Sequence, residues 1–349
     1  MSTIVFVGAF CIVAVLVYMA RYSGRLRVQQ TRSIAAPVAE VYGKVADFAN
    51  WREWNPWLEH EPDVQTKLSD TPGVNATCAW SSARIGSAVI ENVRLLAPTR
   101  IEQRLRFRQP FRFRGRGDWR FVDRLGKTEV TWRMRGRVAF PMRAFAQTVQ
   151  GMVALDFQYG LERLARAVEP ACAGSHYSLA YLGLRDIAST RYAFLTYSGA
   201  LAGLVAARRS GLVGLRHRLA EQGLPSSGSA IAVYARTDVK LRTTVCHMGI
   251  AIGDGNYDDL PVRDLPAHRA YVVRLTGSHA GLEVAWYQAM QRMRIENIEP
   301  DPRVAPFERY LADPGTGGEG DGAVDLHVPV RQRTETVARL NSLRGAEPA

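Results

Sequence analysis

The chain has 349 residues, 47% of them hydrophobic and 22% charged, with a formal charge of +12. That balance argues against a disordered chain and leaves room for two hydrophobic cores. Four cysteines (Cys11, Cys78, Cys172 and Cys246) show no CxxC spacing, which argues against a disulfide framework or a thiolate metal cluster and favours a reduced compartment.

In chain order, the first feature is a run without charge from Ile4 to Ala20. Its length is near the lower limit for crossing a bilayer, roughly 17–25 residues. Met1, Ser2 and Thr3 supply no basic n-region, and Tyr18-Met19-Ala20 is a poor cleavage site, so a signal peptide is not expected. Arg21, Arg25 and Arg27 follow the run, which places the remainder on the cytoplasmic side of an inner membrane by the positive-inside rule. The expectation is a single-pass anchor and basic flank over 1–27; the alternative is a buried core helix.

From residue 28 an alternating, β-prone stretch leads to Pro37, which opens a helix with Val38, Val41, Tyr42 and Val45 at helical spacing. The next loop holds Trp51, Trp54 and Trp57 within seven residues, and also His60 between two glutamates. Successive antiparallel strands are predicted over 74–140, punctuated by Gly and polar clusters. A long helix over about 143–168 keeps Phe145, Val149, Met152, Val153, Phe157, Leu161, Leu164 and Val168 on one stripe.

Much of the excess charge falls within this first domain. Residues 100–143 hold fourteen Arg and Lys against four Asp and Glu, an excess of ten. Arg104, Arg106, Arg108, Arg112, Arg114 and Arg116 alternate with Leu105, Phe107, Phe111 and Phe113, the period of a half-buried strand pair with one basic face. Such a face is either simply solvated or, beside a membrane, meets anionic headgroups through Arg104, Arg106, Arg112 and Arg114. No nucleic-acid motif accompanies the charge, so nucleic acid is not an expected partner.

SIAAPVAEVYGKVADFANWREWNPW resembles the opening of an SRPBCC (START-like, polyketide cyclase/dehydrase) domain, and TEVTWRMRGRVAFPM with DFQYGLERLARAV resembles its end. The resemblance, over 28–170, implies a helix-grip fold with a cavity between sheet and helix for a lipid or other apolar molecule. Trp51, Trp54 and Trp57 then stand at the cavity mouth, as structural caps or as part of a ligand wall. Asp156 in the closing helix lacks an evident partner, and no catalytic constellation is visible.

PACAGS at 170–175 reads as a linker. Beyond it two similar halves follow, each a strand, a helix and two further strands: a weak internal repeat. The helices are expected from about Ala200 to Gln222 and from about Ala280 to Asn297. In PFERYLADPGTGGEGDGAVDLHVPV, Glu308 and Tyr310 are two apart in a strand and share a face, opposite Phe307, Arg309 and Leu311.

This last stretch, with RAYVVRLTGSHAGLEVAWYQAM, resembles a GyrI-like (AraC-type effector-binding) domain over 171–331, with Gly277, Trp286 and Tyr287 at matching positions and His279 where an aromatic is common. The resemblance implies a ligand cleft into which Glu308 reaches. A carboxylate in an apolar cleft attracts cations, assisted by aromatic faces such as Trp286 or Tyr310. Alternatively Glu308 pairs with an arginine such as Arg274 or Arg236 and ties strands together. His247 reads as a core histidine. No helix-turn-helix precedes this domain, so a transcription regulator of that type is not expected.

The expected fold class is α+β: one transmembrane helix, a helix-grip domain and a GyrI-like domain of two pseudo-symmetric β-α-β-β halves, with a flexible tail over 332–349. The expected function is binding of an apolar or cationic small molecule, as sensor, sequesterer or carrier, without cofactor or metal. The rival is a hydrolase of reactive small molecules in which Glu308 is a general base assisted by Tyr310, and a third reading is a lipid-surface adaptor.

Overall fold

The structure is a computed structural model, describing residues 23–61, 63–109, 112–140, 142–169, 177–224, 228–238, 241, 243–253, 255, 257, 260–311 and 321–331. The chain divides into two compact units, at 176/177.

The first unit begins with β1 (Arg25–Ile34) and α1 (Val38–Ala46), which starts just after Pro37 and buries Val41, Tyr42 and Val45. Two single-turn helices follow, α2 (Trp51–Trp54) and α3 (Pro56–Glu59). Asn55 starts the second of these: its side chain accepts from the backbone N–H groups of Trp57 and Leu58, and Pro56 occupies the first helical position, where its missing N–H costs nothing. Then come β2 (Thr66–Leu68), β3 (Thr77–Ser82), β4 (Gly86–Leu96), β5 (Arg100–Gln109), β6 (Phe113–Arg124) and β7 (Lys127–Val138). They form one antiparallel seven-stranded sheet in the order β1-β7-β6-β5-β4-β3-β2.

In β7 the period of two is strict: Val130, Trp132 and Met134 point into the core while Arg135 and Arg137 are exposed. The sheet curls as a half-barrel around α4 (Ala146–Val168), which packs on β1 and on α1, α2 and α3.

The second unit consists of β8 (Tyr177–Ile187), β9 (Thr190–Ala200), α5 (Leu204–Glu221), β10 (Ala230–Asp238), β11 (Thr243–Ala251), β12 (Val262–Leu265), β13 (His268–Ser278), α6 (Leu282–Ile295), β14 (Phe307–Tyr310) and β15 (Asp321–Pro329). All pairings are antiparallel and the order is β12-β9-β11-β10-β14-β15-β13-β8. The order reads alike from both ends: β9-α5-β10-β11 and β13-α6-β14-β15 each lie with their third strand between the other two, and β10 meets β14 in the middle. The outermost strands are exchanged, since β8 precedes β9 in the chain but pairs with β13, and β12 precedes β13 but pairs with β9.

The expected fold class is corrected by these elements. The described chain is two units of mostly antiparallel sheet, and no helix in it is long and apolar enough to cross a membrane. Even the longest, α4 with 23 residues, carries Asp156, Glu162, Arg163 and Arg166. The span expected over Ile4–Ala20 lies outside the described residues, and the single-pass inner-membrane localisation that rested on it is withdrawn with it. The linker at 170–175, the Gly-rich turn at 312–320 and the tail at 332–349 also lie outside them.

Candidate functional site

In β14 the alternation places Glu308 and Tyr310 on the sheet face that α5 and α6 cover, and Phe307 and Arg309 on the other. Glu308 sits where the two halves join, opposite Ala232 of β10 and Leu326 of β15. Its side chain is 0% exposed. A carboxylate so placed needs partners, because an unpaired buried charge costs several kcal/mol.

Four donors meet it. On one oxygen, Oε1, Tyr234 donates its hydroxyl at 2.6 Å and Trp286 its Nε1–H at 2.9 Å. On the other, Oε2, Arg208 donates Nη1–H at 3.0 Å and Tyr310 its hydroxyl. A carboxylate has about four lone-pair sites, so these donors occupy all of them and none is left for a water to be activated. The guanidinium of Arg208 also lies over the Tyr310 ring, 4.9 Å from its centroid. Tyr234 meets Trp286 edge-on at 5.5 Å, and His279 meets Tyr310 edge-on at the same distance.

The electrostatics follow from burial. Both Tyr234 and Tyr310 are held well above the ordinary tyrosine range, first by desolvation and then by the neighbouring Glu308 charge. The Cys246 thiol, fully buried beside them, is pushed up to about 12 by burial and by Glu308, against the opposing pull of Arg208. For Arg208, burial works against the charge, but Tyr310, Glu308 and Tyr234 outweigh it and raise its pKa. The cluster is therefore an ion pair ringed by neutral aromatic hydroxyls and an indole.

Sequence reasoning brought Glu308, Tyr310 and Trp286 to one place, and the structure assembles them there. It missed Arg208 and Tyr234. Arg208 had a readable signal: Leu204, Leu212, Leu215 and Leu219 form the buried stripe of α5, and Arg208 stands in that stripe as its single charged member. The arginines considered instead are elsewhere engaged or exposed. Arg274 holds Asp325 through Nε at 2.6 Å and Nη2 at 2.8 Å, and Arg236 faces solvent. His247 accepts or donates at Nδ1 to the Tyr192 hydroxyl at 3.2 Å and stacks on Phe194. Gly277 has φ +97°, a backbone conformation that side chains other than hydrogen resist.

In the first unit the tryptophans part company. Trp51 and Trp54 are core residues, donating their indole N–H groups to the carbonyls of Val45 and Lys44. Trp57 is half-buried and donates to Asp156 Oδ2 at 3.1 Å, a partner for that carboxylate which the sequence did not reveal. His60, between its two glutamates, is buried. Between sheet and helix the space is taken by rings: Trp132 stacks on Phe157 at 3.6 Å and on Trp119 at 4.2 Å, and Trp54 and Trp57 meet Trp132 edge-on. Arg104, Arg106, Arg112 and Arg114 are exposed, with Arg104 paired to Glu91 at 2.8 Å.

These features define a helix-grip domain with an aromatic interior, followed by a second unit built around a buried ion pair. Residues 25–169, nearly all of the first unit's described span, match the family described as polyketide cyclase/dehydrase and lipid transport, in keeping with a domain of SRPBCC type there. No curated protein matches the chain. Among solved structures it is similar to protein CV1439 from Chromobacterium violaceum, with 18% identity over 41% of this chain and 97% of that one and a TM-score of 0.33. A solution structure from Thermobifida fusca has 20% identity over 40% and 91%, with a TM-score of 0.33. The structure of an EcmrR–DNA complex has 14% identity over 54% and 70%, with a TM-score of 0.35.

Proposed function

We propose that the chain is a two-unit small-molecule-binding protein whose second unit is a GyrI-like effector-binding module that takes an organic cation at Glu308. The observation that carries this reading is the placement of Arg208. The chain's own guanidinium lies 3.0 Å from Glu308 and 4.9 Å over Tyr310, the two contacts that hold a planar cation in an aromatic site. A ligand bearing an amidinium or guanidinium group on an apolar body makes the same contacts when it exchanges with Arg208. The repeated halves support the reading, since they place β14 and its carboxylate at the centre of the sheet. Binding is favoured over turnover because all four acceptor sites of Glu308 are engaged, which leaves the general base of a hydrolase without a water to hold. The first unit takes a small apolar molecule or lipid in the manner of its family, by parting the rings that fill the space between sheet and helix.

Benzamidinium tests the cation site by calorimetry and by thermal shift on the full chain. Arg208→Ala removes the competing guanidinium and is expected to bind benzamidinium at least tenfold more tightly than the unmodified protein. Arg208→Ala with Glu308→Gln is expected to lose that gain. Equal, undetectable binding in both variants refutes the reading.

A further inference from the structure

The register of the first unit's sheet lines its arginines into two rows on the outer face. Arg25, Arg137, Arg114 and Arg106 are successive cross-strand partners on β1, β7, β6 and β5. Two residues along each strand, Arg27, Arg135, Arg116 and Arg104 form the second row. Strands lie about 4.8 Å apart and alternate residues about 7 Å apart, so eight guanidinium groups rise from a patch of roughly 15 by 7 Å.

Like charges placed directly opposite one another destabilise a sheet. Only Arg104 is offset within these rows, by Glu91; the other seven make no ion pair with a described carboxylate. The neighbouring row is different. There Gln29, Arg133, Asp118 and Glu102 are successive partners, Arg133 donates to Gln29, and Arg100 pairs with Asp118 at 2.6 Å. Acidic and amide partners are thus supplied one row away and withheld from the two arginine rows.

A groove of about 780 Å³ opens on this patch. Six of the row arginines wall it together with Arg112 and Arg143, the backbone of Gly115 and Gly136 contributes to its lining, and among the described residues no acidic side chain borders it. The Nε–H of Arg143 is a buried donor without an acceptor among the described residues. Every cation of the lining is arginine, whose planar fork matches phosphate oxygens bidentately, whereas a merely solubilising face is served as well by lysine.

We propose that this groove binds a soluble oligophosphate, either a condensed phosphate chain or a small molecule bearing several phosphates. The volume is that of a small-molecule site, about 300–1,000 Å³. The charge density selects among polyanions. One strand of DNA offers a phosphate only every ~3.4 Å along its axis, and its partner strand lies on the far side of the duplex. A lipid surface presents its headgroups as a plane rather than into a groove. Joined phosphates bring several charges into the open groove that six row arginines without an ion pair to a described carboxylate border. The groove belongs to the first unit and the Glu308 cluster to the second, and the proposal does not depend on the cation reading.

The test is calorimetric titration of the full chain with sodium tripolyphosphate in 150 mM salt, with sulfate, anionic phospholipid vesicles and a single-stranded oligonucleotide run beside it. Tripolyphosphate is expected to bind at least 30-fold more tightly than sulfate. Changing Arg114, Arg116, Arg135 and Arg137 together to Gln is expected to weaken it at least tenfold. The same variant should melt at a higher temperature at low salt, because repulsion is removed; a merely structural role predicts a lower one. Arg135→Gln alone, with a loss of about threefold, keeps the test available if the quadruple variant folds poorly. Tripolyphosphate binding no tighter than sulfate, binding unchanged in the variants, or tight binding only to vesicles or oligonucleotide overturns the proposal.

Discussion

The buried pair of Arg208 and Glu308 makes a quantitative demand on stability. Their side chains are 4% and 0% exposed, so solvent screening is slight and removal of one charge leaves the other stranded. Glu308→Gln keeps the shape and one acceptor oxygen but strands Arg208, for an expected loss of about 3–5 kcal/mol. Arg208→Met leaves the carboxylate with Tyr234, Trp286 and Tyr310 still donating, which puts its cost near the lower end, about 3 kcal/mol. The double variant holds no buried charge and should cost only about 1–2 kcal/mol, because a neutral amide still accepts from part of the cluster. The cycle therefore predicts a coupling of at least about 4 kcal/mol. Urea unfolding of the full chain measures it, with hydrogen exchange over Leu204–Glu221 and Phe307–Tyr310 assigning the transition to the second unit. Single variants within about 0.5 kcal/mol of the unmodified protein, or strictly additive effects, would refute the reasoning.

Further outcomes follow from the same physical terms. Trp132→Ala should cost about 3–5 kcal/mol, since the ring is sandwiched between Trp119 and Phe157; a loss near 1 kcal/mol in thermal unfolding would mean that the rings line an open cavity instead. Gly160→Ala places a Cβ 2.9 Å from Pro56 Cδ and 3.1 Å from Trp132 Cζ3, so it should destabilise by about 1–3 kcal/mol despite the better helix propensity of alanine. His327 is buried, stacks on Phe307 at 4.2 Å, and has its pKa pushed down from 6.5 to about 4 by desolvation and then by Arg309. Below pH 6.5 the unfolded chain therefore binds a proton that the native one refuses. Its contribution, on the order of 3 kcal/mol, is present above pH 6.5 and lost as the pH falls through about 4. His327→Phe should flatten the stability curve in that window, and an unchanged acid limb in pH-dependent urea unfolding would contradict it.

How much of this was legible beforehand divides along a physical line. Strand parity is local: the alternation of arginine with leucine and phenylalanine from Arg104 to Phe113 already assigned a basic face, and the spacing of Glu308 and Tyr310 already placed both on one side of β14. Helix stripes are local in the same sense, and α4 and α6 begin and end within about three residues of their expected bounds. Cavities are not. The tryptophans at 51, 54 and 57 have the spacing of a cluster, but only packing against Trp119, Trp132 and Phe157 made two of them core and left the third on Asp156.

The sequence by itself determined which faces each strand and helix would bury, because side-chain direction follows from the backbone repeat within a few residues. Partner choice was decided only by the tertiary structure. Arg208 reaches Glu308 across 100 residues, in place of Arg274 and Arg236, because α5 packs on β9 and β11, from where the long side chain extends over β10 to β14. Arg25, Arg137, Arg114 and Arg106 become neighbours only through the register of four strands. Register and helix docking are set by the whole core at once, and no local period encodes them.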